Sequence, residues 1–208
     1  MNIKIWTIPN FITSLRVILV PFVIFCFYEG SQAPTVGMPD NRWVWWLVSL
    51  NLLGICELTD IVDGYLARFM HQVSEFGKLL DPLCDSLVRF SIFLALSQLN
   101  IVPDWTVYIF FYRDLSVAYL RILAMSKGVV FAARLSGKIK AIVQGVGIFI
   151  IVGIEFFDSL KIDMLFGYCE KEKCVLYVMV LVCAVTIWSG LDYAYKIFSL
   201  EDNNKAEN

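Results

Sequence analysis

The sequence predicts an all-α, polytopic membrane protein with six transmembrane helices in one domain spanning 1–208, and three observations carry that prediction. Hydrophobic residues make up 59% of the chain and charged residues only 17%, against about 45–50% and about 25% in soluble domains. The apolar residues gather into runs close to the roughly 20 residues that a helix needs to cross a bilayer. Short polar segments with Gly, Pro or charge separate those runs. A net charge of −2 leaves no basic stripe for a phosphate backbone and excludes nucleic acid as a partner. The single histidine, His71, excludes a His-rich metal site.

Taken in order, Met1 to Asn10 reads as a lead-in whose Ile5, Trp6 and Ile8 suit a short interfacial N-terminal helix. Pro9 and Asn10 break it from the first span, Phe11 to Tyr28, which is apolar except for Thr13, Ser14 and Arg16. Arg16 has two readings, snorkelling to the interface or binding phosphate. Glu29 to Arg42 contains Gly, Pro and Ser and reads as a loop. The second helix runs from Trp43 to about Arg68 and opens with Trp43, Trp45 and Trp46 at an aromatic belt. A tight turn over His71 to Glu75 leads to the third, from about Phe76 to Leu99. After Pro103 the fourth covers Trp105 to Ser126 and carries Arg113, Asp114 and Arg121. A basic loop precedes the fifth, about Ser136 to Phe157, and the sixth covers about Cys174 to Phe198. The polar residues 199–208 read as a disordered tail, and no cleavable leader is expected at the start.

Six spans put both termini on one side. That side holds Lys4, Lys78, Lys127, Arg134, Lys138, Lys140, Lys196 and Lys205, and the opposite loops hold Arg42, Lys161, Lys171 and Lys173. The excess marks the first set as cytoplasmic, so a multi-pass cell (inner) membrane protein with both termini in the cytoplasm is expected. Cys26, Cys56, Cys84 and Cys183 fall inside apolar segments, as buried free thiols do. Cys169 and Cys174 fall in a polar segment read as a loop, where a disulfide is open if the loop faces an oxidising compartment.

The most informative stretch is Asp60 to Asp85, DIVDGYLARFMHQVSEFGKLLDPLCD. Charge near a bilayer is costly, so Asp60, Asp63, Asp81 and Asp85 call for a functional reason. On helices, Asp60 and Asp63 share a face at i, i+3, and Asp81 and Asp85 share one at i, i+4. Two such helices side by side would turn four carboxylates toward a common point. A hard divalent cation such as Mg²⁺ suits it, since it takes oxygen ligands and bridges carboxylates to phosphates. Arg89, four residues beyond Asp85, suits an ion pair with Asp85 or, across helices, with Asp114.

Written as Asp60-x2-Asp63-Gly64-x2-Ala67-Arg68-x8-Gly77-x3-Asp81-x3-Asp85, the stretch resembles, at every defined position, the signature of the CDP-alcohol phosphotransferases (phosphatidyltransferases). These are integral membrane enzymes that join a CDP-activated lipid to a small alcohol. The resemblance implies that Asp60, Asp63 and Asp81 hold Mg²⁺ or Mn²⁺ against the CDP diphosphate. It implies that Asp85 touches metal and acts as general base. It places Gly64, Ala67, Arg68 and Gly77 at the nucleotide or CDP-lipid, the two glycines letting it lie close against the helix backbones. A homodimer in the lipid bilayer is also implied.

The likeness extends over roughly residues 7 to 150. Ile8-Pro9-Asn10-x2-Thr13-x2-Arg16 with Pro21, Arg113-Asp114, and Gly137-Lys138-x-Lys140 with Gln144 resemble the phosphatidylglycerophosphate synthases within that family. The implied reaction moves a phosphatidyl group from CDP-diacylglycerol to sn-glycerol 3-phosphate and releases CMP. Arg113, Arg121, Lys138 and Lys140 are then the candidates to grip the acceptor's phosphate. Two positions differ: Asp114 stands where glutamate is commoner, and Ser86 stands where lysine usually follows the last aspartate. Without that lysine, inositol phosphate, serine or a similar alcohol stays open as acceptor. A divalent-cation carrier is the reading from another class, but carriers place such ligands near the bilayer midplane on broken helices.

Overall fold

In a computed structural model the described residues form six helices: α1 (Ile8–Ser31), α2 (Arg42–Phe69), α3 (Glu75–Gln98), α4 (Asp104–Ser126), α5 (Leu135–Ser159) and α6 (Tyr168–Ala206). The backbone is described for 8–32, 40–69, 75–126, 135–161 and 168–206, and side chains for 14–32, 40–59, 62, 83–120, 122, 135–161 and 171–197. The expected interfacial helix over the first residues and the turn at 71–74 lie outside this set.

Four boundaries differ from expectation, one of them the end of α1, which runs to Ser31 past the expected Tyr28. α1 takes in Pro9 and Asn10, expected as a break. Proline is tolerated in a helix's first turn, where its missing N–H has no intrahelical partner in any case. α6 begins at Tyr168 rather than near Cys174, so the expected loop around Cys169 is helix. Residues five apart on a helix lie roughly 140° apart around its axis, and Cys174 is a free thiol; the Cys169–Cys174 disulfide left open by the sequence is not formed. At its other end α6 continues to Ala206, so residues 199–206, expected as a disordered tail, are helical. No Gly or Pro occurs between Leu191 and Ala206 to stop the helix. At 39 residues α6 is about 58 Å long, well beyond a hydrocarbon core of about 30 Å.

Among the described residues, three helical segments are long and apolar enough to cross a membrane: Ser14–Ser31, Leu135–Ser159 and Lys171–Ile197. These belong to α1, α5 and α6. α2, α3 and α4 carry the aspartate motif together with Glu57, Arg89, Arg113 and Asp114, and these charges lower their apolar character. The outer surface is apolar as well: Ile18, Phe22, Ile142, Leu181 and Leu191 are exposed. Water does not reward such a surface, whereas lipid solvates it.

The helices close into a ring. α1 packs on α2 and α3, α2 on α5, α5 on α6, α6 on α4 and α4 on α3, while α3 also reaches α5 across the middle. Val23, Phe27, Phe93, Leu96, Ile151 and Met179 fill the interior. Trp46 belongs to it too rather than to the aromatic belt expected for it. It is 2% exposed, stacks on Phe27 with ring centroids 5.4 Å apart, and donates Nε1–H to the Gly30 carbonyl at 3.0 Å. A Cβ on Gly30 would stand 2.9 Å from the indole, so only glycine lets α1 come this close. That contact fixes α1 against α2 at the end of the ring opposite the aspartate motif.

Candidate active site

Asp60 and Asp63 lie in the last turns of α2, and Asp81 and Asp85 in the first half of α3. Gly64, Ala67 and Arg68 follow on α2, and Gly77 lies in the first turn of α3. Of these signature residues, Asp85 is the one whose side chain is described. Among the described residues α2 and α3 do not touch; α1 packs against both on one side and α5 against both on the other. The motif residues of the two helices, from Asp60 on α2 and up to Asp81 on α3, lie outside the described side chains, so the expected side-by-side pairing falls there; where both helices are described, a gap separates them.

That gap is a cavity of about 20 Å³ whose walls include Arg16 of α1, Cys56 and Glu57 of α2, Asp85 and Arg89 of α3 and Gly145 of α5. It has room for about one water molecule. Arg16 donates from Nη1 to Asp85 Oδ1, and Arg89 Nη1 lies 4.0 Å from Asp85 Oδ2. Arg16 is only 4% exposed and so does not snorkel to the interface. Of the two partners foreseen for Arg89, the structure places it by Asp85.

Glu57 had no role in the sequence-based expectations. It precedes Asp60 by one helical turn, so Glu57, Asp60 and Asp63 continue one i, i+3 series along α2. That extended acidic spacing is the signal that could have found it. Its carboxylate lies over Gly145 on α5, where a Cβ would stand 3.4 Å from Oε1, an ordinary contact distance.

A second polar cluster ties α4, α5 and α6 together. Lys140 donates from Nζ to both Asp114 oxygens, at 2.6 and 2.9 Å. Arg113 donates from Nη1 to Asp114 Oδ1 at 2.9 Å and from Nη2 to Ser189 Oγ at 2.7 Å. A Cβ on Gly190 would stand 3.0 Å from Arg113 Cγ, so the small pair Ser189-Gly190 makes the groove in which the arginine lies. One turn further along α5, Gln144 donates from Nε2 to Thr186 Oγ1 at 3.2 Å. Of the four acceptor candidates, the structure thus joins Arg113 and Lys140 on one carboxylate. Lys138 is exposed, and Arg121 lies two turns beyond Arg113 on α4 with its side chain outside the described set.

The signature aspartates are an all-carboxylate donor set repeating at i, i+3 and i, i+4 on two helices that border one cavity. Hard oxygen donors of this kind fit a divalent cation of the Mg²⁺ type.

Residues 6–188 match the family model of CDP-alcohol phosphatidyltransferase. The chain belongs to that family. As a CDP-alcohol phosphatidyltransferase it carries the whole aspartate motif within the matched region, which runs further than the 7–150 suggested by motifs alone. It is 34% identical over 140 residues to the CDP-diacylglycerol--glycerol-3-phosphate 3-phosphatidyltransferase of Bacillus subtilis, covering 67% of this chain and 72% of that one. It is 31% identical over 201 residues to the protein of the same name from Mycoplasma genitalium, covering 92% and 84%. A Mycobacterium tuberculosis protein named a probable phosphatidylglycerophosphate synthase is 30% identical over 191 residues, covering 91% and 81%.

Proposed function

We propose that this phosphatidyltransferase moves the phosphatidyl group of CDP-diacylglycerol to sn-glycerol 3-phosphate, forming phosphatidylglycerophosphate and releasing CMP. The observation that carries the choice of acceptor is the second cluster. Two cations, the buried Lys140 and the partly buried Arg113, share the carboxylate of Asp114 and, among the described residues of that cluster, leave one positive charge over. An acceptor that brings its own phosphate is drawn to such a site, and a planar guanidinium grips it in two-point fashion. Lys140 and the cavity-lining Gly145 are five residues apart on α5, so the cluster lies about 7.5 Å along the helix axis from the cavity. Arg121 and Lys138 would add charge at the mouth.

In this scheme Asp60, Asp63, Asp81 and Asp85 hold Mg²⁺ or Mn²⁺, which neutralises the diphosphate and the leaving group when bound. Gly64, Ala67, Arg68 and Gly77 form the surface for the cytidine nucleotide. Asp85 accepts the proton of the acceptor hydroxyl. The freed oxygen bonds to the β-phosphorus of CDP-diacylglycerol as the bond from that phosphorus to CMP breaks, and CMP departs with the electron pair.

All six helices cross the inner membrane in this reading, with both termini and the motif end of the ring on the cytoplasmic side. Among the described residues, the charges Glu57, Asp85, Arg89, Arg113 and Asp114 of α2, α3 and α4 lie against neighbouring helices of the ring, where a membrane protein tolerates them. A homodimer fits the apolar exterior.

Purified protein given CDP-diacylglycerol, Mg²⁺ and a panel of alcohols tests the assignment. CMP release with sn-glycerol 3-phosphate, abolished by chelator and strongly lowered by Asp85→Asn, is the expected result. Release with serine or inositol phosphate but none with sn-glycerol 3-phosphate would move the enzyme to another acceptor.

A further inference from the structure

We propose that Arg16 is a positioning residue for Asp85: by holding Oδ1 it fixes the orientation of that carboxylate for proton transfer. The inference rests on Asp85 being the base. Arg16 and Asp85 are 69 residues apart, so the contact owes nothing to helix periodicity and exists because α1 packs against α3. Arg16 is the one cation among the described residues of α1, and it is set between apolar neighbours. A guanidinium that is 4% exposed is costly to bury unless a carboxylate meets it. Asp85 meets it directly, whereas the i+4 partner Arg89 stands off at 4.0 Å.

The charges around the cavity explain why this contact orients Asp85 without swamping it. Among the described residues, two cations, Arg16 and Arg89, and two carboxylates, Asp85 and Glu57, line the walls of one small cavity, so the described charges of its lining balance. A free carboxylate swings about its Cβ–Cγ bond. A rigid planar fork arriving from another helix stops that rotation, which the flexible point charge of lysine does less well. A base displaced by about 1 Å loses roughly 100-fold in rate.

The test uses full-length protein with Arg16→Met, Arg16→Lys, Asp85→Asn and the Arg16→Met/Asp85→Asn double variant. Arg16→Met is expected to lower kcat about 100-fold with KM for CDP-diacylglycerol and for the alcohol each within about 3-fold. Arg16→Lys keeps the charge, serves if the methionine variant does not fold, and is expected to lower kcat about 10-fold, again with KM held. In the Asp85→Asn background Arg16→Met should cost nothing further, because the group it positions is gone. Unchanged kcat in either Arg16 variant overturns the proposal. So does a rise in KM at constant kcat, which would make Arg16 a substrate-phosphate ligand, and so does a full further loss in the Asp85→Asn background.

A metal-free readout separates this proposal from the functional one. The melting-midpoint losses of Arg16→Met and Asp85→Asn should sum to more than the loss of the double variant. Strict additivity refutes the pairing whatever the reaction is. Absence of CMP release from the wild type with every alcohol, with the melting coupling intact, refutes the proposed reaction and with it the base that Arg16 would position.

Discussion

Replacing Asp114 by Asn should damage the protein more than replacing Lys140 by Met, although both break the same ion pair. Lys140 reaches both oxygens of Asp114 at 2.6 and 2.9 Å, and Arg113 reaches one of them at 2.9 Å. The lysine and arginine side chains are 6% and 12% exposed. In Lys140→Met the stem still packs, and Asp114 keeps Arg113, so a neutral pair remains. The loss is that of a charge-assisted hydrogen bond, about 2 kcal/mol. In Asp114→Asn two cations stay buried side by side with their shared anion removed. Breaking a buried pair by deleting one partner costs about 3–5 kcal/mol, and two stranded cations place this variant in the upper part of that range. For a chain of this size about 1 kcal/mol moves the melting midpoint by roughly 2–4 °C. Lys140→Met should therefore melt roughly 5 °C below wild type and Asp114→Asn roughly 12 °C below it. The assay is thermal unfolding in one detergent at one pH, followed by tryptophan fluorescence. If Lys140→Met falls as far as Asp114→Asn, or further, Asp114 is not the counter-ion of both cations.

Two glycines on α5 make a matched pair. A Cβ on Gly147 would meet Val182 Cγ2 of α6 at 2.8 Å, while one on Gly153 meets nothing within 4 Å. Gly147→Ala should push α5 from α6 and destabilise by about 1–3 kcal/mol, whereas Gly153→Ala should be neutral or gain some tenths from helix propensity; equal melting midpoints would contradict the packing. At the far end of the ring, Arg42 donates to Asp40 from Nε at 2.9 Å and from Nη2 at 3.0 Å. This side-chain hydrogen bonding, aided by the Arg42 backbone N–H and the charges of Arg42 and Lys161, holds the Asp40 carboxyl down from 3.8 to about 2. A carboxyl whose folded value lies below its unfolded one stabilises fully above the unfolded value and loses that contribution as pH falls through the folded one. The melting advantage of wild type over Asp40→Asn should thus be complete above about pH 4 and shrink toward pH 2; a gap constant over that range would show that Asp40 contributes nothing through its charge.

Much of this protein follows from local pattern. The alternation of apolar runs and polar breaks sets the six helices, three of which hold described segments apolar and long enough to span a membrane, and the carboxylate spacings set which aspartates share a helical face, because helix length and face depend only on 1.5 Å of rise and 3.6 residues per turn. Hydropathy alone misplaced the limits of α6: its first turns and residues 199–206 are polar, and a helix that has left the membrane needs only its own backbone bonds to continue. Partner choice was of another kind. Arg16 was undecided between interface and phosphate, Trp46 was assigned to a belt, and Glu57 was passed over. Arg16 meets Asp85, Trp46 meets Gly30, and Glu57 lies over Gly145. Each of these depends on which helices stand next to each other, and the ring order α1, α2, α5, α6, α4, α3 is not encoded in any local spacing. The aspartate motif is a property of two helices read singly, whereas the cavity that Asp85 lines exists only because α1 and α5 pack against both of them.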